Sequence, residues 1–194
     1  MKFQKVLNEL EQSGAQNDRI QTDKSKKYLN ITRDTGEFFT VLVKATKAKN
    51  ILELGTSNGY STLWLASALP ENGTVTTIER SEQKAKEAKA NFERTNLLER
   101  IQLLIGNASD LLNDLKGEFD IIFLDADRSA YISFIPHILR LLKSGGIMIC
   151  DNAFSHEEEL KEFMEFFINR SEYTTCLVPV GKGEFIACKG KLPC

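Results

Sequence analysis

From Ile51 onward, short apolar runs alternate with stretches of helical periodicity, and this alternation constrains the fold more than any other feature. The apolar runs predict five strands: Asn50–Leu54, Val75–Ile78, Ile101–Ile105, Asp120–Leu124 and Ile147–Cys150. The stretches between and after them predict helices at Ser61–Leu69, Ser81–Asn96, Ala108–Leu115, Ile132–Leu142 and Glu157–Asn169, with a turn at Gly145-Gly146. Strands that alternate with helices form a parallel sheet, which binds its ligands at the carboxyl ends of the strands.

The two ends of the chain depart from this alternation. Tyr173–Val180 and Glu184–Cys188 are separated only by Gly181-Lys182-Gly183, which predicts an antiparallel hairpin. The residues before Ile51 are predicted to form helices over the sheet, with Asp34 capping a helix that runs to about Lys47. The expected fold is therefore α/β: a Rossmann-like, doubly wound, mostly parallel sheet with a C-terminal antiparallel hairpin and N-terminal helices packed on it. We expect one domain, in which residues 1–48 cover a sheet core formed by residues 49–194.

Composition narrows the class of partner. The 194 residues carry a net charge of -2, and Lys and Arg are spread along the chain, so there is no strong nucleic-acid signal. No apolar run approaches membrane-spanning length, and no signal-peptide core is visible. Cys150, Cys176, Cys188 and Cys194 form no CxxC pair, which favours a reduced interior. These features predict a cytoplasmic protein with a small-molecule partner and no membrane contact.

A glycine-bearing turn follows the first strand in the segment Ile51–Ser61. Such a turn lets the backbone approach a ligand closely, and the helix start beyond it offers free N–H groups. The glycine spacing is GxxxG rather than the GxGxxG of a pyrophosphate site, which favours a nucleoside without a diphosphate. Glu79 ends the second strand, where a carboxylate accepts hydrogen bonds from both ribose hydroxyls. The alternative is that Glu79 only caps the helix beginning near Ser81.

Five separated motifs occur in a characteristic order: Glu53-Leu54-Gly55-Thr56, Glu79, Gly106 to Asp110, Asp125-Ala126-Asp127, and Gly145-Gly146 followed by Asp151-Asn152. From about Leu29 to Lys189 the chain thereby resembles the S-adenosylmethionine-dependent O-methyltransferases of the catechol and caffeoyl-coenzyme A type. The resemblance implies methyl transfer from S-adenosylmethionine to a hydroxyl oxygen of a small acceptor, and a possible homodimer. It implies a cofactor site of Ile31, Glu53, Gly55, Thr56, Gly59, Tyr60, Ser61, Glu79, Asn107, Ala108 and Asp125. Within that set, Glu53, Gly55, Thr56, Gly59 and Ser61 would hold the methionine end, Asn107 and Ala108 the adenine edge, and Ile31 would close over the cofactor.

Acidic and amide side chains follow the fourth and fifth strands. If these strands are neighbours, Asp125, Asp151 and Asn152 converge on one point, and oxygen ligands of this kind suit Mg²⁺ or another divalent cation. The resembled family places its divalent metal at the matching positions. A cation beside the acceptor oxygen would stabilise its ionised form. The alternative is that these residues form turns and helix caps.

The predicted catalytic residues are Asp125, Arg128 and His156. Plant and mammalian members of the resembled family carry Lys, assigned as general base, where this chain has Arg128. Arginine stays protonated, so Arg128 cannot accept the proton, although it could stabilise an oxyanion or bind a substrate carboxylate or phosphate. His156 is the nearby side chain whose ordinary pKa suits proton transfer, unless it is simply an exposed or capping residue.

Three alternative functions remain open at this point. The chain could be a metal-independent methyltransferase, a non-catalytic S-adenosylmethionine-binding module, or an NAD-dependent oxidoreductase. The GxxxG spacing and the terminal hairpin speak against the oxidoreductase. The stretch between Asn152 and the helix at Glu157 is short, and the sequence leaves the identity of the acceptor open.

Overall fold

The structure, a computed structural model, describes residues 2–190. Its centre is a seven-stranded sheet in the order β3-β2-β1-β4-β5-β7-β6. The strands are β1 Asn50–Leu54, β2 Thr74–Glu79, β3 Ile101–Ile105, β4 Phe119–Leu124, β5 Leu142–Cys150, β6 Tyr173–Val178 and β7 Glu184–Lys189. Strands β1 to β5 are parallel, and β7 runs antiparallel to both β5 and β6. The predicted α/β fold with a terminal hairpin is confirmed.

Seven helices cover the two faces of this sheet within residues 2–190. They are α1 Lys2–Ile20, α2 Arg33–Thr46, α3 Tyr60–Ala68, α4 Glu82–Thr95, α5 Ala108–Asp114, α6 Tyr131–Leu141 and α7 Glu157–Ile168. Short 3₁₀ turns lie at Lys24–Lys26, Leu98–Arg100 and Arg128–Ala130. Local chemistry sets both limits of α4. At its start the Ser81 hydroxyl accepts a hydrogen bond from the Lys84 N–H, and after its end Asn96 adopts the left-handed conformation.

The central strands are apolar on both faces because each face has its own core. Alternate side chains of a strand point to opposite sides of a sheet. Ile121 and Phe123 of β4 pack with helices α1 to α4 on one side, whereas Ile122 and Leu124 pack with α5 to α7 on the other. This double burial holds the carboxyl ends of the parallel strands at fixed relative positions, so that the loops beyond them share one edge.

Two local predictions were wrong. The residues Gly145-Gly146 do not form a separate turn, because β5 begins at Leu142 and runs through them. Phe119 of β4 pairs with Leu142, but Ile121 pairs with Ile147, so β5 contains extra residues between these two pairs and bulges there. Asp34 is not the cap of α2 either.

The position before α2 is occupied by Thr32, and Asp34 lies in the first turn of the helix. The Asp34 carboxylate accepts hydrogen bonds from the N–H of Thr35 at 3.1 Å and from the N–H of Gly181 at 3.1 Å. Asp34 therefore ties the N-terminal helical cover to the β6–β7 hairpin, which a local cap would not do.

The remaining sequence expectations concern cysteines and membranes. Cys150, Cys176 and Cys188 are free thiols, and Cys194 lies outside the described residues. Within residues 2–190, no helix combines the length and the apolar character needed to cross a bilayer.

Candidate active site

A cavity of about 960 Å³ opens at the carboxyl ends of the parallel strands. Its wall contains residues from the carboxyl end of each of these five strands, among them Gly55, Glu79, Asn107, Asp125 and Asn152. Glu79 itself is the last residue of β2. The cavity therefore lies where an open parallel sheet binds its ligands, and its volume suits a ligand of nucleoside size or larger.

The turn after β1 requires glycine at two positions for different reasons. Gly55 has φ +106°, and a Cβ on it would lie 2.0 Å from the carbonyl oxygen of Asp125. Gly59 has φ +88°, and a Cβ there would lie 2.5 Å from the ring of Phe92 on α4. Gly55 lines the cavity and Gly59 is not part of its wall, so the cofactor contact of Gly59 stays a prediction. Gly59 lets α3 begin close against α4.

Glu53 lies behind the cavity wall rather than on it. The side chain is fully buried and accepts hydrogen bonds from the hydroxyls of Ser61 at 2.6 Å, Thr62 at 2.5 Å and Thr77 at 2.6 Å. Burial raises the pKa of Glu53, and the three hydroxyl donors oppose that rise. A direct contact between Glu53 and a cofactor stays a prediction. Glu53 holds Ser61, which lines the cavity together with Thr56 and Tyr60.

Glu79 presents a fixed carboxylate to the cavity. It is 7% exposed, and its oxygens accept hydrogen bonds from the N–H of Ser57 and the N–H of Ser81, each at 2.8 Å. These bonds orient the carboxylate, and each oxygen keeps a further lone pair for a ligand donor. The helix cap itself is Ser81, so capping alone does not account for Glu79. Its contact with a ribose stays a prediction.

The other predicted nucleoside contacts also line the cavity. Asn107 precedes α5, and its side-chain oxygen accepts a hydrogen bond from the Ser109 N–H at 3.0 Å. Ala108 and Ile31 also line the cavity. The structure thus brings these residues together around one space.

Residues between α1 and α2 also form part of the wall, and apart from Ile31 no sequence motif predicted them. The Ser57 hydroxyl donates to the Tyr28 carbonyl oxygen at 2.7 Å, and the Lys84 ammonium donates to the Lys27 carbonyl oxygen at 2.6 Å. These bonds attach the segment 24–31 to the turn after β1 and to α4, so that the segment forms part of the cavity wall.

Asp125, Asp151 and Asn152 converge because β4 and β5 are adjacent. Asp125 and Asn152 line one end of the cavity, and the buried Asp151 lies directly beside Asn152. The Asn152 amide nitrogen lies 3.0 Å from an Asp151 carboxylate oxygen and 3.4 Å from an Asp125 carboxylate oxygen. Burial raises the pKa of Asp151, and burial together with the Asp151 charge raises that of Asp125 well above its usual value. Asn152 has φ +69°, a left-handed conformation that asparagine tolerates better than most residues.

A third carboxylate, Glu184 of β7, lies beside this pair. It is fully buried, one oxygen accepts a hydrogen bond from the Thr35 hydroxyl at 3.3 Å, and the other has no partner within the described residues. Burial and then the Asp151 charge raise the pKa of Glu184 to about 10. The sequence analysis missed Glu184, because only the antiparallel pairing of β7 with β5 brings it next to Asp151.

The donors at this end fit a hard divalent cation by their chemistry. Two carboxylates and an amide converge, and a cation between the carboxylates would relieve their mutual repulsion. Within residues 2–190, no three His, Cys, Asp or Glu side chains are arranged as a metal site, so an Asn152 oxygen would have to complete the protein ligands.

Arg128 and His156 lie on the wall of the same cavity. The Arg128 Nε donates to a Glu159 carboxylate oxygen at 2.8 Å, and the arginine side chain is 12% exposed. The His156 Nδ1 lies 2.9 Å from the Ser155 hydroxyl oxygen. Burial, followed by the Arg128 charge, lowers the pKa of His156 and so favours its neutral form.

The chain is similar in sequence and in fold to known O-methyltransferases. A catechol O-methyltransferase from Niastella koreensis is 38% identical over 138 residues, which cover 69% of this chain and 62% of that protein. The O-methyltransferase from Bacillus cereus, in complex with SAH, is 28% identical with a TM-score of 0.81 over 95% of this chain and 90% of its own. TomG from Streptomyces achromogenes, in complex with SAM, is 26% identical with a TM-score of 0.82 over 95% and 89% of the two chains.

A sequence profile described as O-methyltransferase matches residues 3–187, nearly the whole described chain. The match to the Niastella koreensis relative spans about three fifths of that protein's length. On the extent of the profile match, this chain belongs to the O-methyltransferase family.

Proposed function

We propose that this chain transfers the methyl group of S-adenosylmethionine to a hydroxyl oxygen of a small acceptor. One observation carries the proposal: a single cavity joins the nucleoside-type wall around Glu79 to an acidic end, where Asp125 and Asn152 line the cavity and the buried Asp151 contacts Asn152. Both reactants would therefore share one enclosed space. The SAH and SAM bound to the related structures from Bacillus cereus and Streptomyces achromogenes support the choice of cofactor.

The cofactor would occupy the wall formed by the loops after β1, β2 and β3. The Glu79 carboxylate would accept hydrogen bonds from the ribose hydroxyls, and Asn107 and Ala108 would contact the adenine edge. The methionine end would lie near Gly55, Thr56 and Ser61, beside the first turn of α3, where a helix has N–H groups without helical partners.

In the transfer step, the bond from the methyl carbon to the sulfonium sulfur breaks as the bond to the acceptor oxygen forms. The sulfur keeps the electron pair and becomes a neutral thioether, and the hydroxyl proton passes to His156, the predicted proton carrier, and from it to water. A divalent cation held by Asp125, Asp151 and Asn152 would supply Lewis acidity at the acceptor hydroxyl. The protein's own contribution is alignment, because holding both reactants in reactive geometry removes most of the entropic barrier.

Arg128 and His156, the two further predicted catalytic residues, would act at the acceptor end of the cavity. We define this end by Asp125, Asn152 and His156. His156 stays a predicted proton carrier. Arg128 stays protonated, so its role would be electrostatic, and Glu159 fixes its position through the Nε contact.

Ligand binding tests the cofactor first. S-adenosylhomocysteine should raise the melting temperature of the protein and NAD should not, since only a ligand of the native state adds stability by mass action. Stabilisation by NAD alone would instead support an oxidoreductase.

Product formation tests the reaction. Incubation with S-adenosylmethionine, Mg²⁺ and a panel of catechols should yield acceptors heavier by one methylene, detected by mass spectrometry. A matched reaction without acceptor controls for cofactor breakdown. Binding of S-adenosylhomocysteine without any product across a broad hydroxyl panel would favour a non-catalytic binding module, and transfer in excess chelator would favour a metal-independent enzyme.

A further inference from the structure

Three cationic side chains line the cavity near its acceptor end. They come from three separate parts of the chain: Lys24 from the 3₁₀ turn after α1, Arg128 from the turn after β4, and Lys182 from the β6–β7 turn. Side chains from such distant elements meet only through the tertiary fold. We call these three residues the cationic cluster.

Arg128 has hydrogen-bonding capacity that the protein does not use. Its side chain is only 12% exposed, and its Nε is held by Glu159 at 2.8 Å. Its two terminal nitrogens, Nη1 and Nη2, form no hydrogen bond with any side chain or backbone group in the described part of the chain. A fixed guanidinium with free terminal donors is suited to bind the two oxygens of a carboxylate or phosphate.

Lys182 is held at the cavity by a fixed turn. The Gly181 N–H donates to Asp34 at 3.1 Å, and the Lys182 carbonyl accepts a hydrogen bond from the Phe154 N–H at 3.1 Å. A Cβ on Gly183 would lie 2.4 Å from the Phe154 ring, so the turn packs tightly on the loop after β5. The Lys182 ammonium forms no salt bridge with a side chain of residues 2–190.

Two charges of the cluster have no counterion in direct contact. Glu159 is paired with Arg128 at 2.8 Å, whereas Lys24 and Lys182 form no salt bridge with a side chain of residues 2–190. A cavity wall of this kind attracts anions.

We propose that the acceptor carries an anionic group, a carboxylate or a phosphate, which the cationic cluster binds while the acceptor hydroxyl faces Asp125 and Asn152. This inference rests on the proposed function and adds the chemical class of the acceptor. Arg128 provides the directional contact, and Lys182 and Lys24 provide charge at the mouth.

The test compares two acceptors that differ in charge at one substituent. 3,4-Dihydroxybenzoate and 3,4-dihydroxybenzamide present the same pair of hydroxyls, and 3,4-dihydroxybenzylphosphonate adds the phosphate-like case. The dissociation constant of each is measured by calorimetry with S-adenosylhomocysteine and Mg²⁺ present, and kcat/KM is measured with S-adenosylmethionine. Wild type should favour the benzoate over the benzamide by about tenfold in both quantities. A comparison of kcat/KM for the phosphonate with kcat/KM for the benzoate then identifies the preferred anion.

Variants assign the preference to residues. Here the benzoate-to-benzamide ratio means kcat/KM for the benzoate divided by kcat/KM for the benzamide. Lys182→Met should reduce this ratio by roughly three- to tenfold, as should Arg128→Gln, because each removes one charged contact at a partly exposed site. Arg128→Lys should restore part of the ratio because it keeps the charge. Lys161→Met, on the exposed surface of α7 and away from the cavity, is the matched control and should leave the ratio unchanged. Thermal melting of each variant verifies that it is folded.

The outcomes separate this inference from the proposed function. If wild type fails to bind S-adenosylhomocysteine, the proposed function falls and this inference with it. If S-adenosylhomocysteine binds but the anionic and neutral acceptors have equal affinity, or neither binds, only the anionic-acceptor proposal is overturned. A preference that persists unchanged in both Lys182→Met and Arg128→Gln would also overturn it.

Discussion

The contact between Glu79 and the cofactor offers the sharpest test of the nucleoside wall. The Glu79 carboxylate is almost fully buried and is oriented by the N–H groups of Ser57 and Ser81. Its remaining lone pairs face a space where two ribose hydroxyls would donate. A hydrogen bond to a charged group contributes about 1.5 kcal/mol at the low end of the measured range. Losing two such bonds in Glu79→Ala should therefore raise the Kd of S-adenosylhomocysteine about 100-fold.

A second variant separates charge from shape. Glu79→Gln keeps the size of the side chain and one acceptor oxygen, so its Kd should rise only about tenfold. Glu82→Gln removes a carboxylate from the exposed first turn of α4, outside the cavity, and is the matched control. Calorimetry measures each Kd, and thermal melting shows whether the loop at Ser57 has been disturbed. A Kd for Glu79→Ala equal to that of Glu82→Gln would refute the ribose assignment.

Four further predictions address the metal, the buried carboxylate, the glycine turn and assembly. Chelation should abolish transfer and Mg²⁺ or Mn²⁺ should restore it, while Asp151→Ala should match the chelated enzyme yet bind S-adenosylhomocysteine normally; full turnover in chelator would contradict this. Because the pKa of Glu184 rises from 4.5 to about 10 on folding, its contribution to stability is present below pH 4.5 and is lost as pH rises toward 10. In urea unfolding at pH 5, 7 and 9, the free energy of unfolding should therefore decline less steeply with pH in Glu184→Gln than in wild type, and equal slopes would count against the raised pKa. Gly59→Ala should lower the free energy of unfolding by about 2 to 4 kcal/mol through left-handed strain and overlap with Phe92, whereas Gly117→Ala, with φ +94° but open space around it, should lose only about 1 to 2 kcal/mol. Light scattering should show a homodimer at micromolar concentration, and a monomer would contradict that prediction.

Much of the cavity wall could be predicted from the sequence because it depends on strand ends. The alternation of apolar runs and helices determined that β1 to β5 are parallel, and parallel strands place their carboxyl ends at one edge. Gly55, Glu79 and Asp125 therefore lie at the same edge whatever the details of packing. The convergence of Asp125 with Asp151 needed one further condition, that β4 and β5 be neighbours, and the structure satisfies it.

Other features were decided only by tertiary structure, since they join residues far apart in the chain. The Thr35–Glu184 contact spans 149 positions, and no local pattern marks Glu184 as the neighbour of Asp151. Glu53 belongs to a recognisable motif, yet three hydroxyl donors turn it away from the cavity. The cationic cluster likewise arises from three loops that local propensity does not bring together. Sequence periodicity determines which elements form and which ends they share, whereas the side chains that meet between elements depend on packing across the whole sheet.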